Sequence, residues 1–146
     1  MSIGAQMKTT EQAEQKGIVV RYFKRLDRGG DFIDLFDENA RVFYPKWGIA
    51  TGHEEIGEMF SDVGSLVNEM SHNYEYFNYV MSGDMVVVEG TSTGKTADGT
   101  EWRPDGEPGG GRWCDVFEVR NGKIQRLFIY LDPDYAGIDT EQYPWL

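Results

Sequence analysis

The segment RWCDVFEVRNGKIQRLFIYLD, Arg112 to Asp132, alternates apolar and polar residues on both sides of Asn121-Gly122. A period of two is the mark of a strand with one buried face, and Asn-Gly is a favoured two-residue turn between antiparallel strands. The chain must therefore contain a sheet packed on one side. One residue fits that pattern badly. Asp115 shares its face with Trp113, Phe117 and Val119, the face a strand normally buries.

The same period predicts strands over 70–81 and 85–96, joined tightly at Ser82-Gly83-Asp84, and a shorter one from Ala40 to Tyr44, stopped by Pro45. Helical spacing governs the earlier chain. Thr9-Thr10-Glu11-Gln12 offers a capping box ahead of Val19, Val20, Phe23 and Leu26. Gly29-Gly30 ends that helix, and Asp31 can cap a short one carrying Phe32, Leu35 and Phe36. Thr51-Gly52-His53-Glu54 opens another, with Ile56, Met59, Phe60 and Val63 as its apolar stripe. Helices followed by a run of antiparallel strands define an α+β domain, with the helices against one face of a curved sheet.

A length of 146 residues suits a single domain over 1–146, with a flexible leader over 1–9. The tail, 133–146, carries Tyr135, Tyr143 and Trp145 and is expected to pack on the domain or on a partner subunit. Residues 97–112, with five glycines and two prolines, form either an extended hairpin tip around Asp98-Gly99 or a gate over a pocket. A formal net charge of −11 argues against nucleic acid and anionic membrane surfaces as partners. The lone Cys114 and the lack of a signal-like start point to a cytoplasmic protein. One cysteine and two distant histidines make no metal-ligand spacing, and the run at Gly109 lacks the lysine of a phosphate loop. Neither metal nor cofactor is expected.

The order of elements, the D-V-F-E-V-R-N-G-K-I hairpin and the closing I-Y-L-D-P-D resemble the nuclear transport factor 2-like superfamily, and within it the SnoaL-like branch of polyketide cyclases and their relatives. The resemblance runs from about Gln12 to Tyr135. It implies a cone-shaped antiparallel sheet wrapped around N-terminal helices, a deep pocket, metal-free acid–base chemistry on a small hydrophobic molecule, and a homodimer. Asp115-Val116-Phe117-Glu118-Val119 matches the strand on which steroid-isomerase relatives hold a protonated, hydrogen-bond-donating Asp. Their proton-transferring Asp is replaced by Tyr44-Pro45. Arg41-Val42-Phe43-Tyr44 and His72 match scytalone-dehydratase relatives, and Asp27 falls where those carry a helix-end Asp. The second dehydratase His would fall near Thr96 and is absent. Ile129 stands where epoxide-hydrolase relatives need an Asp.

These residues set the expected chemistry. A carboxyl between Trp113 and Phe117 is desolvated, which favours its acid form. Asp115 then either donates a hydrogen bond to an enolate or works as a general base; the plainer alternative is an Asp bonded to a backbone amide or to Arg112. His72 can carry a proton near neutrality, with Tyr74 and Tyr76 on its face if the strand alternates. Tyr44 can donate its hydroxyl to a substrate oxygen, or simply pack. Trp47, Trp113, Phe117, Phe60 and Tyr74 are the expected substrate-binding walls. The expectation is a cofactor-independent lyase or isomerase of cyclase or dehydratase type acting on an oxygenated hydrophobic compound. Its rival is a non-catalytic binding module that uses the same pocket or sheet.

Overall fold

The computed structural model describes residues 3–104 and 110–133, with side chains from Thr10 onward. Helix α1 spans Ile3–Asp27, and a 3-10 turn, Ile33–Leu35, leads into strand β1, Phe36–Tyr44. Strand β2 (Gly48–Thr51), helix α2 (Gly52–Ser65) and strand β3 (Val67–His72) follow. After a second 3-10 turn, Tyr74–Tyr76, come β4 (Asn78–Ser82), β5 (Met85–Thr96), β6 (Glu101–Trp102), β7 (Arg112–Arg120) and β8 (Lys123–Leu131).

The expected α+β arrangement is present. The sheet runs β2-β1-β8-β7-β5-β3, with β4 and β6 also paired to β5. One pairing departs from the expected antiparallel sheet: β1 lies parallel to β8, with Val42 opposite Leu127. Alternation reports which face a residue occupies, not the direction of the neighbouring strand, so the sequence pattern could not show this. Asn121 and Gly122 both have positive φ, 55° and 72°, as the two central residues of a type I′ turn require.

Helix α1 starts before its expected cap. The backbone is already helical from Ile3, so residues 3–9 are a helical extension rather than a leader. Ala5, Gln6, Met7 and Lys8 are good helix formers, and a capping signature cannot stop a helix that its preceding residues propagate. At the other end Asp31 accepts the Ile33 N–H at 3.0 Å, which closes the short 3-10 turn. In α2, Thr51 is the N-cap but makes no side-chain cap bond. Its backbone N–H is instead taken by Glu55 at 2.7 Å, one residue beyond the glutamate of the expected box.

The strand expected over 70–81 is broken by the turn at Tyr74–Tyr76. His72 lies opposite Ser92, whereas Tyr79 lies opposite Val88, so the turn shifts the register by three residues. An odd shift reverses parity. The inward side chains change from His72 to Phe77, Tyr79 and Met81, while Tyr76 is left 63% exposed. The turn is anchored by Asn73, whose backbone and side-chain amides both donate to Thr91.

Two alternatives for residues 97–112 are separated in part. Strand β6 pairs with β5, Trp102 opposite Gly94, so the described portion is an extended hairpin tip at Asp98-Gly99. Residues 105–109 and the tail from 134 on, the subjects of the gate and tail-packing expectations, lie outside the described residues. The core lies between the sheet and the two helices. Val19, Tyr22 and Phe23 of α1 and Ile56, Met59 and Val63 of α2 are buried against Val86, Val88, Phe117, Val119 and Leu127. Each large side chain so buried contributes about 1.5–3 kcal/mol.

Candidate active site

The concave face of the sheet does not fill completely. A cavity of about 710 Å³ remains between it, the C-terminal end of α1 and the last turns of α2. That volume is in the range of small-molecule pockets.

Three residues gather at one end. Asp27 is the last residue of α1, and one of its oxygens lies 2.6 Å from His72 Nδ1. The other accepts the Tyr74 hydroxyl at 2.6 Å and the His72 backbone N–H at 3.0 Å. Burial alone would raise the Asp27 pKa, but the hydrogen bonds and charge of His72, with the Tyr74 bond, outweigh it and hold the carboxyl below its ordinary range. Desolvation, and then the bond to Asp27, push the Tyr74 phenol up. A carboxylate can only accept, so the Nδ1–H of His72 donates to Asp27 and Nε2 is the nitrogen turned away from it. His72 lines the cavity, and Nε2 has no partner among the described residues.

At the other end stands Asp115. Its residue is 3% exposed, it lines the cavity, and its carboxyl has no hydrogen-bond partner among the described residues. Burial raises its pKa well above the usual carboxylate value. With no cation or donor among the described residues to hold the charge, burial shifts the carboxyl toward its neutral acid form. The backbone-bonded and Arg112-bonded alternatives are not realised: Arg112 is exposed and its guanidinium donates to the Pro104 carbonyl at 3.4 Å.

The sheet sets the spacing of these ends. Val88 is opposite Asp115, Gly90 opposite Trp113 and Ser92 opposite His72. Four residues of strand separate the first and third pairs, about 13 Å along β5. The Trp113 indole lies between the ends, with its ring 5.3 Å from that of His72. It fits there because residue 90 is glycine: a Cβ at that position would come within 2.6 Å of the indole.

The SnoaL-like domain family matches residues 19–127. This chain belongs to it. Solved structures agree on the fold. A candidate isomerase from Bacillus subtilis superposes with a TM-score of 0.70 at 19% identity, covering 86% of this chain and 91% of its own. TerC co-crystallised with polyporic acid gives 0.67 at 17% identity, over 82% and 92%. A candidate polyketide cyclase from Sinorhizobium meliloti gives 0.60 at 18%, over 78% and 94%. No curated protein matches in sequence.

Within this SnoaL-like domain the expected site residues divide. Asp115, His72, Tyr44, Phe60 and Trp113 all line the cavity. Three expected walls do not. Phe117 is fully buried beneath the floor, packed on Tyr22 and Phe23 at 5.6 and 5.9 Å. Trp47 is 36% exposed, carried outward by the turn at Lys46 (φ 75°) and Gly48 (φ 92°), and meets Tyr44 edge-on. Tyr74 is turned to Asp27 by the 3-10 turn that the alternating pattern concealed. Glu89 points outward to Asn78 and Asp132 caps the Gly111 and Arg112 amides, so neither serves the cavity. His53 ties α2 to the Phe36 carbonyl at 2.9 Å.

Ser92, Phe32 and Tyr22 line the cavity but were not among the expected site residues. For Ser92 a signal existed. It shares parity with Val86 and Val88 on β5 and is the one hydroxyl in that inward row before Thr96.

Proposed function

We propose that this SnoaL-like domain is a cofactor-independent acid–base enzyme, a lyase or isomerase acting on a small, hydrophobic, oxygenated compound. The observation that carries the reading is Asp115: a buried carboxyl without a hydrogen-bond partner among the described residues, opening onto an aromatic cavity with a histidine–carboxylate pair at its far end. In its acid form Asp115 donates a hydrogen bond to a substrate carbonyl and stabilises the negative charge that develops as an enolate forms. His72 Nε2 removes or returns a proton at the opposite end, and Asp27 holds the imidazole in the required tautomer and stabilises the imidazolium. The separation of the two groups favours a conjugated substrate, in which a proton lost at one end delivers charge to an oxygen at the other. In this reading Trp113 and Phe60 orient the rings, and the Tyr44 hydroxyl makes a second polar contact.

The protein is further proposed to be cytoplasmic and to form a homodimer through the outer face of β1 and β8. There Tyr130 is 49% exposed and meets the Phe43 ring at a tilt, 5.8 Å between centroids, leaving apolar surface uncovered. No helix among the described residues is long and apolar enough to cross a membrane.

Proton exchange in deuterated water tests the enzymatic reading. A panel of ring-bearing ketones and diketones is incubated with the protein and with Asp115→Asn, and mass is read. Exchange next to the carbonyl in the wild type, lost in Asp115→Asn, supports enolate chemistry. No exchange in compounds shown to bind supports the binding module instead.

A further inference from the structure

We infer that Ser92 is a hydrogen-bond donor to a substrate oxygen at the His72 end of the cavity, and that Trp102 holds it in the donating orientation. The inference rests on the cavity being the ligand site proposed above, and it names a specificity group within it.

Ser92 lies opposite His72 on the neighbouring strand, is 2% exposed and lines the cavity. Its backbone is held on both counts: it belongs to the β5 ladder, and its N–H donates to the Gly111 carbonyl at 2.7 Å. The side chain is held as well. Trp102 Nε1 donates to Ser92 Oγ at 3.2 Å in a buried contact.

An indole N–H can only donate, so it occupies a lone pair of the hydroxyl and directs the serine hydrogen away from the indole. No acceptor among the described residues takes that hydrogen. A buried donor without an acceptor is unfavourable, and the cavity is where one can be supplied.

The arrangement depends on specific residues. Trp102 is buried because β6 folds back on β5 with its indole over Gly94. A Cβ at position 94 would collide with the Trp102 ring and with the Glu69 carbonyl.

Chemistry at this end makes the donor necessary. Asp27 is an acceptor, and both the Tyr74 hydroxyl and the His72 Nδ1–H are already given to it. A substrate ether, carbonyl or hydroxyl oxygen placed beside His72 therefore finds its hydrogen on Ser92. With Asp115 donating at the far end, the cavity is suited to an extended compound with an oxygen acceptor at each end.

Two probes test this by calorimetric titration: 2-acetylnaphthalene, with one oxygen, and 2-acetyl-6-methoxynaphthalene, which adds an acceptor at the opposite end. The wild type is expected to prefer the second by about fivefold, the value of one net hydrogen bond. Ser92→Ala is expected to remove the preference while binding 2-acetylnaphthalene as before. Trp102→Phe keeps a ring over Gly94 but lets the hydroxyl rotate, and is expected to reduce the preference; it carries the test if Ser92→Ala does not fold. A preference unchanged in both variants, no preference in the wild type, or no binding of either probe overturns the assignment. A preference that follows Ser92 in a protein without carbonyl proton exchange retains the Ser92 assignment and removes the enzymatic reading.

Discussion

Asp27, the last residue of α1, and His72, the last of β3, meet at 2.6 Å although 45 residues separate them. The contact fixes which imidazole nitrogen faces the cavity, and it joins the end of the first helix to the edge of the sheet.

Asp27→Asn is expected to lower turnover of a proven substrate by about a hundredfold, the scale of one mispositioned acid–base group. An asparagine can present its amide to Nδ1 and reverse the tautomer, so kcat falls further than KM rises. Steady-state kinetics across pH 5–9 checks this. A variant with an unchanged kcat and pH profile would leave Asp27 a purely structural residue.

The same carboxylate makes stability depend on acid. Its folded pKa lies below the unfolded value, so its contribution is complete above that value, near 4, and is lost as pH falls through the folded one. Urea midpoints measured from pH 6 down to pH 2.5 should decline through this window. Tyr74→Phe removes one of the bonds that lower the pKa and should flatten the decline.

Asp115 has the opposite sign. Its folded pKa is raised, so the native state holds a proton the unfolded chain has released, and stability falls as pH rises from the unfolded value toward the folded one. Asp115→Asn removes this dependence. It should be more stable than the wild type at pH 7.5 and closer to it at pH 3.5, while losing proton-exchange activity. Equal urea midpoints at both pH values would show that the carboxyl is solvated.

Gly90→Ala places a methyl group within 2.6 Å of the Trp113 indole and within 3.1 Å of Phe77. Both rings are packed, so the change should cost about 1–3 kcal/mol and displace the indole that separates the two ends of the cavity. Thermal unfolding and ligand affinity should both worsen. Normal stability with normal binding would mean that the indole is not fixed there.

Sedimentation at micromolar concentration should show a dimer, and Tyr130→Asp combined with Phe43→Asp should shift it to monomer. Both side chains lie on the outer face and take no part in the described core. A wild-type monomer would refute the proposed interface.

The Arg112–Asp132 hairpin was legible in the sequence because its information is local. Asn121-Gly122 adopts the turn its residue types prefer, and alternation placed Trp113, Asp115 and Phe117 on the buried face. A carboxylate facing inward was visible for the same reason. Resemblance supplied the fold, and with it the possibility that Asp27 serves a site. Local pattern misled where tertiary contacts decide. The stretch expected as one strand over 70–81 reverses its parity at Tyr74–Tyr76, so Tyr76 does not share the inward face of His72.

Only the tertiary structure decided the rest. The parallel pairing of β1 with β8, the meeting of Asp27 with His72, and the lock of Trp102 on Ser92 each join segments whose own sequences carry no sign of the partner. Secondary structure and inward-facing residues follow from backbone preference and hydrophobic period, which act over a few neighbours. The distance between Asp115 and His72, and which side chain a buried hydroxyl or carboxyl meets, follow from how a curved sheet closes on two helices.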